Sequence, residues 1–101
     1  MQSIVEQSFI DLAKDVIKQE VESIEAMSLR LNQEFEQACE IILKTSGRII
    51  IIGMGKSGHI GKKIAATFAS TGTPAFFVHP GEANHGDLGM ITCKDTIIAI
   101  S

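Results

Sequence analysis

In the first third of the chain the apolar residues recur at steps of three and four. Phe9, Ala13, Val16, Ile17, Val21, Ile24, Met27 and Leu31 lie on one stripe of an amphipathic helix running from Ile4 to about Leu31. Asn32 is suited to cap a second helix, with Glu34 and Glu36 at the positive end of its dipole and Gly47 placed to stop it. The stripe of that helix is Phe35, Ala38, Cys39 and Ile42. Both stripes read as packing surfaces, and so long a helix pair on so small a domain also suits contact with a partner subunit.

After Gly47 the period changes. Arg48-Ile49-Ile50-Ile51-Ile52 is a β-branched run with no polar alternation, which predicts a strand covered on both faces, as in a parallel sheet, and Gly53 ends it. Ser57 to Thr71 reads as a helix with Ile60, Ile64, Ala65 and Phe68 inward, Gly72 just past its end and Pro74 beyond. Ala75 to Val78 and Thr96 to Ile100 are two more strands, apolar throughout and expected to be buried on both faces. Between them His79 to Gly89 is dense in glycine and polar side chains. Strand, helix, strand, loop, strand is the grammar of an open parallel α/β sheet, whose ligands sit beyond the carboxyl ends of the strands. Residues 53–58, 79–87 and Ser101 are all expected at that end. Three parallel strands leave an apolar edge unpaired. The reading is therefore N-terminal helices at 1–46 and the first part of an α/β domain at 47–101, expected neither to act alone nor to fold as a stable monomer.

Composition narrows the partners. With 45% hydrophobic and 21% charged residues the chain is a foldable globular sequence. The net charge of -3 is mixed along the chain, without a Lys/Arg block, so no nucleic-acid partner is expected. Cys39 and Cys93 lie far apart, without the spacing of a disulfide framework or zinc knuckle. The acids among residues 1–15 exclude a secretory signal, and no run of about 18 apolar residues offers a membrane span. The expected setting is the cytoplasm.

Gly53-Met54-Gly55-Lys56-Ser57-Gly58 satisfies G-x-G-x-x-G between strand and helix, but a dinucleotide site wants an acid near the end of the second strand, where His79 and Pro80 stand. A phosphate loop ending in Gly55-Lys56-Ser57 would need glycine at position 50, which is Ile50. What survives is the physics common to such loops: glycines admit a ligand to the backbone, helix-start N–H groups face it, and Lys56 adds positive charge. An anionic ligand is preferred over a merely solvated lysine. His85 is placed to transfer protons near neutral pH or to hold its loop by hydrogen bonding, and composition favours neither. For His79, beside Pro80, a structural hydrogen bond is a better reading than metal ligation. Asp87 and Glu82 read as bonding loop amides.

Residues Gly53 to Gly58, Ala65 to Pro74, Phe77 to Ala83 and His85-Gly86-Asp87-Leu88-Gly89-Met90 together closely resemble the arabinose-5-phosphate isomerase family, which carries the sugar isomerase (SIS) domain. The resemblance runs from about Ala38 to Ser101. It implies a flavodoxin-like αβα sandwich with a parallel sheet, a homotetramer when full length, and interconversion of D-ribulose 5-phosphate and D-arabinose 5-phosphate on the route to the Kdo sugar of lipopolysaccharide. By position it makes Lys56 the catalytically relevant lysine and Gly72, Thr73 and His85 substrate-contacting residues. His79 matches a position that can hold zinc in relatives, although the reaction itself requires no metal or other cofactor. Ser57 joins the substrate-binding set through its place at the helix start. The family's serine-rich phosphate loop begins at about Ser101, and its glutamates, later histidine and frequent tandem CBS pair follow.

Moving a carbonyl between C1 and C2 needs a base for a carbon-bound proton and a charge to stabilise the enediolate. Lys56 can supply the charge, and the carbon base is expected beyond Ser101. The competing function is a non-catalytic SIS sensor of phosphosugars. Residues 1–46 show helices with acidic faces rather than a DNA-binding segment. A nucleotide-dependent oxidoreductase is the third alternative, weakened by the missing strand-end acid.

Overall fold

The structure is a computed structural model that describes residues 7–83 and 86–101. It divides into two compact units, Met1–Glu36 and Gln37–Ser101.

In the first unit, helix α1 spans Phe9–Leu29. Ser8 caps it, its hydroxyl accepting the Asp11 N–H at 3.1 Å, which satisfies one of the helix-start donors. None of its residues is buried. Asn32 then caps α2, Gln33–Lys44, by accepting the Glu34 N–H at 3.0 Å, as the sequence predicts. The second unit begins inside α2, so the last turns of that helix belong with the sheet.

The second unit is built on a parallel sheet of β1 (Ile49–Gly53), β2 (Ala75–Val78) and β3 (Thr96–Ile100) in the order β2-β1-β3. Ile49 pairs with Ala75 on one side and Thr96 on the other. Between β1 and β2 runs α3, Gly55–Ser70. From β2 the chain crosses to β3 through the short helix α4 (Pro80–Ala83) and a 3-10 turn at Asp87–Met90.

The core follows from the isoleucine run. Ile49, Ile50 and Ile51 are each 0% exposed, and fully burying a side chain of this size is worth about 1.5–3 kcal/mol. Ile49 and Ile51 pack with Ala65, Ile64 and Phe68 of α3, with Ile42 of α2, and with Phe77 and Ile98 from the flanking strands. Ile50 alternates to the opposite face and is equally covered. The edge strands differ from expectation. Along β3 exposure alternates, with Ile97 49% exposed and Ala99 open to solvent, and within β2 only Val78 is fully buried. Only the central strand has a neighbour on both sides, so only β1 shows the two-faced burial expected of all three.

Glycines set how closely α3 docks. A Cβ at Gly61 would lie 3.0 Å from both Ile51 Cγ2 and the Phe77 ring, so the helix packs on β1 and β2 through a bare backbone. The helix ends where the sequence predicts: Gly72 has φ 98°, the Thr73 N–H bonds the Phe68 carbonyl at 2.9 Å and the Gly72 N–H that of Ala69 at 3.4 Å. This pair of bonds is a Schellman close, which needs a residue that tolerates positive φ.

Candidate active site

The residues beyond the carboxyl ends of the strands form a cleft of about 290 Å³ lined by Gly53, Met54, Ser57, Pro80, Ile100 and Ser101. Three separate segments of the chain meet there, one after each strand, as parallel topology requires.

Its floor is shaped by glycine. A Cβ on Gly53 would stand 2.9 Å from the Ser57 carbonyl oxygen, and one on Gly58 3.0 Å from the Gly53 carbonyl oxygen. Strand end and helix start are thus pressed backbone to backbone. Met54 is extended, with φ -119° and ψ 153°, and Gly55 turns the chain with φ 57°. The first helical bond of α3 is the Gly58 N–H to the Met54 carbonyl at 3.1 Å. The N–H groups of Gly55, Lys56 and Ser57 precede it and are the orphan donors of a helix start.

This start breaks the usual electrostatic rule. Its cap, Met54, makes no side-chain capping bond, and its first turn carries no acid; instead it holds Lys56, a cation at the positive end of a dipole. Such a placement costs about 0.3–1 kcal/mol in an ordinary helix. An anion set against these N–H groups and Lys56 would reverse the sign. Lys56 is exposed and Ser57 half-buried at the cleft wall.

The other sequence-predicted residues are distributed unevenly. His79 follows β2 at the same end of the sheet, and its Nδ1 accepts the Gly81 N–H at 2.9 Å, while the His79 carbonyl accepts the N–H groups of Glu82 at 2.9 Å and Ala83 at 3.1 Å. His79 is therefore the cap of α4. An Nδ1 that accepts an N–H leaves the ring proton on Nε2. Zinc at Nδ1 would displace that bond, and zinc at Nε2 would put the proton on Nδ1, against the Gly81 donor. Among the described residues no group of three or more His, Cys, Asp or Glu side chains converges to hold a metal. This capped geometry does not fit a zinc ligand. His85 lies outside the described residues.

Gly72 and Thr73 sit at the other end of the sheet. They precede β2 and, with Ile42, Thr45, Gly47 and Pro74, line a separate hollow of about 230 Å³ at the amino ends of the strands. The structure does not bring them to Lys56, because a helix-to-strand turn in a parallel α/β unit always falls opposite the strand-to-helix turn.

Sequence reasoning missed one polar cluster. Arg48 and Asp95 precede β1 and β3 and come together at 3.6 Å. Their signal was present, since in-register parallel strands place the residues before Ile49 and Thr96 side by side.

Comparison with known proteins adds the family context. The SIS domain family matches residues 42–101. The chain is 61% identical over 97 residues to the arabinose 5-phosphate isomerase KdsD of Francisella tularensis, covering 93% of this chain and 30% of that protein. It thus spans about 30% of the length of the curated relatives it matches. Among solved structures it resembles the E. coli CFT073 protein c3406 in complex with arabinose 5-phosphate, with TM-score 0.80 and 42% identity, over 94% of this chain and 52% of that one. A Bacteroides fragilis protein, described as a candidate phosphosugar isomerase involved in capsule formation, superposes with TM-score 0.83 at 35% identity, over 93% of this chain and 50% of its own. A parallel sheet flanked by α3, a glycine-framed helix start at the strand ends, and a match over more than half of the chain converge on one assignment: the chain belongs to the SIS domain family.

Proposed function

We propose that this chain is the leading part of an aldose-ketose isomerase that interconverts D-ribulose 5-phosphate and D-arabinose 5-phosphate. The observation that carries the reading is the start of α3, where the exposed Lys56 adjoins the Ser57 wall of the cleft and the first-turn N–H groups lack intrahelical partners, in a chain 61% identical to an arabinose 5-phosphate isomerase. The uncapped, acid-free first turn suits negative charge that develops on the substrate. In the proposed chemistry Lys56 stabilises the enediolate oxygens electrostatically. His85 assists ring opening or moves a proton between oxygens. The base that takes the carbon-bound proton belongs to the part of the relatives' length that lies outside residues 1–101, so these residues alone are inactive. No metal takes part.

Gly72 and Thr73 enter this reading through assembly. They lie at the far end of the sheet from Lys56, so a substrate that touches both needs a second copy to bring Gly72 and Thr73 to the cleft. This supports self-association, of which the homotetramer implied by the resemblance is the form we propose. The same reading makes the enzyme cytoplasmic and places it in lipopolysaccharide synthesis; no described helix is long and apolar enough to cross a membrane. Incubating the full-length protein with ribulose 5-phosphate and following the appearance of the aldose tests the reaction. A protein that binds the sugar phosphate without turning it over would instead be a phosphosugar sensor.

A further inference from the structure

We infer that the outer face of α3 is an electrostatic track that selects phosphorylated ligands for the cleft, with Lys63 as its specificity-determining residue. The identity of the ligand rests on the isomerase reading; the selection by charge does not. The ionisable side chains of α3 are Lys56, His59, Lys62 and Lys63, all exposed. No Asp or Glu occurs between Glu40 and Glu82, in a chain whose net charge is -3. Lys56, His59 and Lys63 follow one another at steps of three and four, so they share one helical face. Gly58, Gly61 and Ala65 are buried on the other, which turns these three towards solvent. Lys62 stands apart, its Nζ 5.6 Å from the centre of the Phe77 ring.

Such a face works against the helix. Like charges three and four residues apart repel, and helix stability favours an acid four residues ahead of a lysine. Ahead of Lys62 and Lys63 stand Gly58 and His59 instead. Among the described residues the one ion pair is Arg48 with Asp95, so no described carboxylate offsets the α3 lysines. Positive charge held uncompensated along one face, and leading to the helix start at the cleft, raises the local concentration of anions there. From Lys56 to Lys63 the helix rises about 10 Å, which is about one Debye length at 0.1 M salt. At that separation in water one lysine favours a phosphate dianion by about fourfold before screening. Screening leaves about threefold at 0.01 M salt and nothing measurable at 1 M, where the Debye length is about 3 Å. A sugar without phosphate gains nothing from the track.

The test uses the full-length protein with Lys63→Gln, Lys63→Glu and, as a control of equal charge change, Lys94→Gln, an exposed lysine ahead of β3 at the opposite end of the sheet. Two readouts are followed in sodium chloride from about 0.01 M to about 1 M: kcat/KM for ribulose 5-phosphate, and the apparent Kd of arabinose 5-phosphate by titration calorimetry. At the low-salt end Lys63→Gln should weaken both by about threefold and Lys63→Glu by about eightfold, with the loss in KM rather than kcat. Both variants should converge on wild type at high salt, and Lys94→Gln should stay close to wild type throughout. The thermal midpoint of Lys63→Gln should hold or rise, because a like-charge contact is removed, whereas a structural role would lower it. Unchanged constants at low salt, a loss that persists at high salt, or an equal loss in Lys94→Gln overturns the proposal. If Lys63→Glu does not fold, Lys63→Gln decides by the same readouts. A wild-type protein that binds arabinose 5-phosphate without turnover contradicts the isomerase reading, while the salt dependence of Kd still decides the track; one that does neither overturns both.

Discussion

The Asp95 carboxylate accepts the backbone N–H of Arg48 at 2.7 Å and, through its other oxygen, the N–H of Thr92 at 2.8 Å. One side chain, 2% exposed, therefore ties the start of β1 to the turn that leads into β3. Gly47 makes room for it, because a Cβ there would collide with Asp95 Oδ1 itself and would stand 2.7 Å from the Lys94 carbonyl oxygen.

Those two backbone donors, helped by the Arg48 charge, hold the Asp95 carboxyl below its ordinary pKa of 3.8. A depressed carboxylate stabilises the fold above its unfolded pKa, and that contribution is lost as pH falls through the folded value. Stability should therefore drop on acidification below about pH 4. Asp95→Asn should be less stable at neutral pH and should lack this part of the acid transition. Thermal midpoints of both proteins from pH 7 to pH 3 check it, and parallel curves would contradict it.

Gly61→Ala should destabilise without touching the chemistry. The added methyl would stand 3.0 Å from Ile51 and Phe77, and overpacking of a tight contact costs about 1–3 kcal/mol. Chemical unfolding should show this loss, and kcat of the folded fraction should stay near wild type. Gly58→Ala should behave differently, since its methyl meets the Gly53 backbone, which cannot yield without moving the helix start away from the strand. Its activity should fall more than its stability.

The cap on α4 predicts a pattern at His79. Asn places an acceptor where Nδ1 stands and removes Nε2, whereas Gln does the reverse. His79→Asn should keep the thermal midpoint and turnover close to wild type, and His79→Gln should lower the midpoint. If His79→Asn instead removed a zinc effect on the enzyme and His79→Gln preserved it, Nε2 would be a metal ligand and the capping account would fail.

The local architecture was legible because each signal was local. The isoleucine run, the Asn32 cap and the Gly72 close each depend on a few neighbouring residues, and the structure shows all three. The convergence of residues after the three strands on one cleft also followed, because parallel topology alone dictates it. Burial of the edge strands did not, since Ile97 is as apolar as Ile50 and differs only in what lies beside it. The separation of Gly72 and Thr73 from Lys56 was hidden by motif reading, which joins residues by family and not by sheet end. The pairing of Arg48 with Asp95 was not read from the sequence because their meeting depends on strand register.

The central claim is that the helix start at Lys56 stabilises charge during sugar-phosphate isomerisation, and Lys56→Ala in the full-length protein tests it most directly. Lys56 is exposed and packs against nothing that the fold requires, so its removal should leave the thermal midpoint unchanged. Interconversion of ribulose 5-phosphate and arabinose 5-phosphate should fall by about tenfold or more, equivalent to about 1.4 kcal/mol of lost transition-state stabilisation. Turnover near that of wild type in a folded Lys56→Ala protein would contradict the account.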